Sequence, residues 1–318
     1  MGLEVFKVSI IGAGKIAEEH IKAFRSLNGV SVNGIFSRTK SNALRLAQRY
    51  DIAVVANDIQ DLYVRTSADL VVVAVTIDAS KEIIELCWQY DWSVLTEKPL
   101  GLNYTEALNL SQKAASLNKD CFVAFNRRHY ASVEWVRQQI STQTGPLYIS
   151  AFGQESLHEV CKEGFSEKIL EHWMFANSIH IIDLILFFAD SPVKAIHKLN
   201  RYSAGMDPGV VSAFIEFENG STSIYQCNWD MQGPWGLSIS ARSNRWELKP
   251  LETAYMQTND DRAKIYMPEA TIDVEFKPGF KRQAERAVYA SKGHRKFEAN
   301  LLDGLETMRI VDDIFLGN

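Results

Sequence analysis

The sequence predicts an α/β chain: a doubly wound parallel sheet in the N-terminal part, followed by an α+β domain with a large open, mainly antiparallel sheet. Three observations carry this. An apolar strand at Val8–Ile11 runs into Gly12-Ala13-Gly14 and straight on into helix-forming sequence. β-rich apolar runs then alternate with amphipathic stretches as far as Phe125, the grammar of a parallel sheet with crossover helices. After Arg127 the pattern changes to a few helices and then a series of alternating strands.

In the first part the strand candidates are Val8–Ile11, Val32–Phe36, Ala53–Val55, Leu70–Val75, Val94–Leu95 and Phe122–Phe125. The run from Leu70 to Val75 is apolar at every position, which predicts a central strand covered on both faces. Helices are predicted at Lys15–Leu27, Ser41–Tyr50, Ala79–Tyr90 and Tyr104–Leu117, where apolar residues recur at three- and four-residue steps. In the second part strands are predicted at Leu147–Phe152, Val210–Phe217, Ser221–Trp229 and Gly236–Ala241, and a last helix from about Lys296 to Phe315. The turn Glu218-Asn219-Gly220-Ser221 points to an antiparallel hairpin. The division expected is residues 1–126 for the first domain and 127–318 for the second.

Size agrees with two domains, since 318 residues exceed the roughly 250–300 at which one core stops growing. A net charge of −5 gives no general attraction to nucleic acid or an anionic membrane. No apolar run approaches the about 20 residues that span a bilayer, and no leader precedes the first strand, so a cytoplasmic protein with a small-molecule partner is expected. Cys87, Cys121, Cys161 and Cys227 lie far apart without a C-x-x-C pair, which fits reduced thiols. His158-Glu159 with Cys161 matches no metal spacing, and no metal is expected.

The glycines have a chemical use. Gly12 allows a tight turn, Gly14 lets the backbone approach a pyrophosphate, and small Ala17 lets the helix pack close to the strand. Ala13, Lys15 and Ile16 complete the contact, at a helix start whose free N–H groups attract an anion. Dinucleotide choice is read after the second strand, at Ser37-Arg38-Thr39. No carboxylate stands there to hold a ribose hydroxyl, whereas Ser37 and Arg38 suit a 2′-phosphate. NADP(H) is therefore preferred over NAD(H), which stays open because a phosphate-free adenosine can use the same serine.

Thr96-Glu97-Lys98-Pro99-Leu100 follows a short strand and so lies at the carboxyl edge of the sheet, where open α/β sheets bind ligands. Lys98 there can donate to a developing alkoxide, and Glu97 can orient it. Together, Gly12-Ala13-Gly14-Lys15-Ile16-Ala17, Glu97-Lys98-Pro99-Leu100 and Val123-Ala124-Phe125-Asn126-Arg127-Arg128 resemble the glucose-fructose oxidoreductase / inositol dehydrogenase / MocA (Gfo/Idh/MocA) family in order and spacing over the first 130 residues.

The resemblance implies a Rossmann domain, an open-faced second domain, a bound nicotinamide dinucleotide, a sugar-like substrate and a homo-oligomer formed through the open sheet. It places Thr76, Ile77, Ser80, Glu97, Lys98 and Asn126 at the cofactor. The chain departs from the family at Thr76-Ile77-Asp78-Ala79-Ser80, where relatives carry Thr-Pro-Asn and then a histidine.

The family's D-x-G-x-H motif corresponds to Ala176-Asn177-Ser178-Ile179-His180, so the histidine is present and the aspartate is absent. Helical spacing puts Trp173, Asn177, His180 and Leu184 on one face, where Asn177 can orient the His180 ring. Asp183, one turn on, is a candidate to replace the missing charge, or else a salt-bridging residue. Arg127, Arg128, Trp173, Asn177, Asp183, Tyr225 and Trp229 are candidate substrate contacts; His129 and His172 read as ordinary core or surface groups, with His172 a secondary candidate because it lies close in sequence to the substrate helix.

The expected activity is hydride transfer to or from a secondary carbinol carbon of a sugar, sugar derivative or nucleotide-sugar, with Lys98 and His180 handling the proton. The alternative is a dinucleotide-binding regulator without catalysis, for which Ala176 speaks and the retained Lys98 and His180 do not.

Overall fold

The computed structural model describes residues 5–199, 209–229, 233, 235–294 and 296–317. Two compact units emerge: Met1–Asn126 with Val274–Glu306, and Arg127–Asp273 with Thr307–Asn318. The expected uninterrupted second domain, 127–318, is thus corrected at 274–306, which belongs to the first unit.

The first unit alternates β1 (Phe6–Ile11), α1 (Lys15–Arg25), β2 (Val30–Phe36), α2 (Lys40–Tyr50), β3 (Val54–Val55), α3 (Ile59–Thr66), β4 (Leu70–Val73), α4 (Ile77–Cys87), β5 (Ser93–Thr96), α5 (Tyr104–Leu117) and β6 (Phe122–Val123). The six strands are all parallel, in the order β3-β2-β1-β4-β5-β6. β4 is buried along its whole length, as a strand apolar at every position requires. Connection order reverses about β1, so the carboxyl ends of β1 and β4 frame the crevice where such sheets take ligands.

Residues 274–306 pack back onto this unit for a plain physical reason. In α11 (Phe280–Ser291) the side chains of Phe280, Ala284, Ala287 and Val288 form one buried stripe, and α11 lies against α1. Phe280 meets His20 at 4.9 Å between ring centroids. Further on, Val123 N–H donates to the Ala299 carbonyl at 2.8 Å, and Phe122 packs on Phe297.

The second unit contains α6 (Ala131–Ile140), β7 (Tyr148–Gln154), two short helices α7 (Leu157–Lys162) and α8 (Glu167–Glu171), a π-helical turn (Met174–Ser178), α9 (Ile179–Ala189), and strands β8 (Val193–Lys198), β9 (Val210–Phe217), β10 (Thr222–Asn228), β11 (Gly236–Ser240), β12 (Asn244–Leu248), β13 (Tyr255–Thr258) and β14 (Ile265–Tyr266). A single turn of helix, α10 (Ile272–Glu275), precedes α11, and α12 (Leu301–Phe315) ends the chain.

The eight strands order as β14-β13-β12-β11-β7-β10-β9-β8. Among the described residues of this sheet β7 and β10 pair in parallel, and the other pairs are antiparallel. α9 covers one face of β7 and β10. β10 alternates accordingly: Ser223, Tyr225 and Cys227 are buried, while Ile224 and Gln226 are exposed on the other face.

Candidate functional site

At the glycine turn the backbone dictates the residue. Gly12 has φ +115°, and a Cβ there would stand 2.0 Å from the Ala74 carbonyl oxygen at the end of β4. Only glycine brings the two strand ends this close. Gly14, by contrast, has open space where a Cβ would go. It precedes α1 in an extended conformation, and no side chain caps the helix start. An uncapped N-terminus with an unobstructed approach is what a pyrophosphate needs, so the residues fit a bound dinucleotide. Gly14 and Lys15 are exposed, Ile16 half-buried and Ala13 buried.

After β2, Arg38 and Thr39 are exposed, and the Ser37 hydroxyl accepts from the Thr39 N–H at 3.3 Å. Thr76 is exposed at the start of α4, beside half-buried Ile77. Ser80 differs from the expectation. It is buried and gives its hydroxyl proton to the Ile77 carbonyl at 2.8 Å, a local helix bond. Asn126 is buried as well, its amide donating to the Pro278 carbonyl.

Lys98 follows β5 at the same sheet edge as the glycine turn and is half-buried, before a cis bond to Pro99. Glu97 is held by two contacts: its N–H donates to the Val73 carbonyl at 2.9 Å, and its carboxylate accepts from His20 Nε2 at 2.8 Å. The sequence reading gave Glu97 to Lys98; the carboxylate ties α1 to the segment that carries Lys98. Nothing local in the sequence announces His20, which lies 77 positions away.

In the second unit, His180 sits buried in the first turn of α9, its ring 6.5 Å from that of Trp235. The residues just before it converge on a carboxylate that sequence reasoning missed. Glu155, just past β7, is 3% exposed and accepts from Asn177 Nδ2 at 2.7 Å, Trp173 Nε1 at 3.1 Å and Ser178 Oγ at 3.1 Å. Asn177 and Trp173 therefore do share a face, and what they hold is Glu155. Its position at a strand end, 21 residues before Ala176 in sequence, leaves no local motif to find it by.

Two expectations are corrected here. Asp183 is 1% exposed and makes a two-toothed ion pair with Arg128, at 2.9 Å to Nε and 2.6 Å to Nη2, with Thr307 donating to it as well. That pairing takes both Asp183 and Arg128 out of the substrate-binding set. Tyr225 and Trp229 are also fully buried and pack on Phe315, so they are core aromatics.

Arg127 keeps a candidate position. Its guanidinium lies 3.9 Å over the Trp235 ring, and the two line a pocket of about 340 Å³ with Gln154, Glu155, Asn177, Pro250, Leu251 and Glu252. A larger cavity of about 730 Å³ in the first unit involves Phe6, Asp69 and Ser93. These stand at the amino ends of the strands, the edge opposite the one where such sheets bind ligands. Among the described residues no His, Cys, Asp and Glu cluster could hold a metal, and no helix is long and apolar enough to cross a membrane.

Burial pushes the Glu155 carboxyl above its ordinary value, against the opposing hydrogen bonds from Asn177, Trp173 and Ser178 and the charge of Arg127. A carboxyl raised in the folded chain stabilises fully below its unfolded pKa, and that contribution is lost as pH rises through the folded value. In Glu155→Gln the amide oxygen can accept from Asn177 and Trp173 while its NH2 donates to Ser178. The stability of this variant relative to wild type is thus expected to improve as pH rises from about 4 to 7, read from urea midpoints. A relative stability that falls over that range would mean the hydrogen bonds outweigh burial.

Comparison with known proteins agrees with this arrangement. Residues 6–125 match an oxidoreductase family with an NAD-binding Rossmann fold, Gfo/Idh/MocA. The chain is 21% identical over 72% of its length to 4-carboxy-2-hydroxymuconate-6-semialdehyde dehydrogenase of Sphingobium sp., covering 74% of that protein. To D-apiose dehydrogenase of Paraburkholderia graminis it is 21% identical over 70% of its length and 60% of the relative. The fold matches UDP-N-acetylglucosamine 3-dehydrogenase of Acidithiobacillus ferrooxidans with a TM-score of 0.80 at 15% identity, over 99% of this chain and 98% of that one.

Proposed function

We propose, from the match of residues 6–125 to the Gfo/Idh/MocA oxidoreductase family, that this chain is a nicotinamide-dependent dehydrogenase or reductase of a secondary hydroxyl or keto carbon on a sugar, sugar derivative or nucleotide-sugar. The relatives named as D-apiose and UDP-N-acetylglucosamine dehydrogenases support that substrate class. The observation that carries the reading is Lys98 at the carboxyl edge of the sheet, the edge that also bears the Gly12–Gly14 turn.

The dinucleotide supplies a carbon that accepts or gives the hydride. Gly12, Ala13, Gly14, Lys15 and Ile16 hold its pyrophosphate, with Thr76 and Ile77 alongside. Lys98 donates a hydrogen bond to the substrate oxygen as charge develops there, and His180 exchanges the hydroxyl proton. Ser37 and exposed Arg38 favour NADP(H) over NAD(H). On the open face of the second sheet, exposed Tyr148 and Ile224 support a homo-oligomer built through that face.

The test is a screen of sugars and nucleotide-sugars for change in reduced-nicotinamide absorbance, with both dinucleotides in parallel. Turnover of a sugar with NADP(H) ahead of NAD(H) is expected. Preference for NAD(H) would remove the role given to Ser37 and Arg38. Dinucleotide binding without turnover of any carbinol would favour the regulator.

A further inference from the structure

Three polar groups on the pocket of the second unit have hydrogen-bonding capacity that the described residues leave unused. Arg127 Nη1 is a buried donor, and Gln154 Oε1 a buried acceptor, neither with a hydrogen-bond partner among the described residues. The third is Glu155. Among the described residues its Oε2 takes two donors, from Trp173 and Asn177, while its Oε1 takes one, Ser178, and each carboxylate oxygen has about two acceptor sites. All three residues line the same 340 Å³ pocket, at the small end of the roughly 300–1,000 Å³ usual for ligand sites. Buried polar groups left unpaired carry a free-energy cost that a complementary ligand removes.

The pattern of one donor beside two acceptors specifies the ligand's chemistry. A hydroxyl group both accepts and donates, so vicinal hydroxyls can satisfy Arg127 through an oxygen lone pair and Gln154 and Glu155 through their protons. A carboxylate or phosphate can satisfy Arg127 alone. It would leave Gln154 Oε1 without a donor and bring negative charge against Glu155 and Glu252, two carboxylates facing one guanidinium on the lining. The guanidinium carbon lies 3.9 Å from the centre of the Trp235 ring, which fixes where the Arg127 donors stand on the lining.

We infer that Arg127, Gln154 and Glu155 form a hydroxyl-reading subsite that takes an uncharged polyhydroxylated ring and disfavours one bearing its own carboxylate or phosphate. This deepens the dehydrogenase reading and rests on it for the link to turnover. Binding alone tests the selectivity.

The experiment is calorimetric titration of the full-length chain, with NADP+ or NAD+ present, using matched sets: D-glucose and D-galactose, each with its uronate and its 6-phosphate. At least one neutral sugar is expected to bind, with its uronate and phosphate at least about tenfold weaker, a difference of about 1.4 kcal/mol. Glu155→Gln is expected to narrow that gap, and Glu252→Gln to narrow it less, since Glu252 is exposed. An anion that binds more tightly than its neutral parent, no binding by either neutral sugar, or an unchanged gap in a folded Glu155→Gln protein would each overturn the proposal. The two readings fail separately. Preferred oxidation of a uronate or sugar phosphate sinks this inference and leaves the dehydrogenase standing, whereas selective neutral-sugar binding with no nicotinamide turnover does the reverse.

Discussion

Lys98→Ala is expected to lower hydride transfer by about 10²–10⁴-fold, the range that a positioned proton-transfer group contributes, while dinucleotide affinity stays within a few-fold of wild type. The asymmetry follows from where the residues lie. The pyrophosphate turn is built from backbone at Gly12 and Gly14 and from the start of α1, none of which involves the lysine side chain. The lysine's segment is anchored independently of its ammonium, through the Glu97 N–H on Val73 and the Glu97 carboxylate on His20. Removing three methylenes and a charge should therefore leave the sheet edge in place and take away the donor that meets the developing alkoxide.

Turnover by stopped flow and affinity by nicotinamide fluorescence separate the two effects. Near-wild-type turnover would remove Lys98 from the chemistry. Loss of dinucleotide binding in step with turnover would make it a cofactor contact instead. His180→Ala should resemble Lys98→Ala in rate and leave dinucleotide binding nearly intact.

What was legible in the sequence was what local pattern encodes. The all-apolar run at β4, the glycine turn and the hairpin joining β9 to β10 rest on periodicity and turn chemistry, and each was visible within a dozen residues. Among the local signals overlooked is α3, which the Asp58 carboxylate caps by accepting from the Asp61 N–H at 2.7 Å. Its eight residues are short enough for the apolar spacing to go unnoticed beside the stronger neighbouring helices.

Long-range partnerships were a different matter. The return of 274–306 to the first unit depends on α11 finding α1, and an amphipathic stripe names no partner. Glu155 and His20 acquire their roles only when distant segments meet. The π-helical turn at Met174–Ser178 adds a further reason, because its wider winding places Trp173, Asn177 and Ser178 around one carboxylate. A uniform 3.6-residue spacing does not bring all three together.

Asp183 illustrates the same limit, and its variant is expected to fail through stability before chemistry. Asp183→Ala should cost about 3–5 kcal/mol, the usual penalty for leaving one member of a buried ion pair without the other. Arg128 is nearly as buried as Asp183, with side-chain exposures of 6% and 1%, so water cannot take over the abandoned guanidinium. The loss should be largely insensitive to salt, because buried pairs are poorly screened. Urea unfolding at neutral pH, with near-ultraviolet dichroism to confirm the folded baseline, gives the number.

A paired variant sharpens the reading. Replacing both groups with apolar residues of similar volume, Arg128→Met with Asp183→Leu, removes two charges that were costly to bury, and should recover most of what the single change loses. If Asp183 instead supplied the charge missing at Ala176, the outcome would invert: Asp183→Ala would fold with wild-type stability and lose turnover, and the double variant would restore nothing.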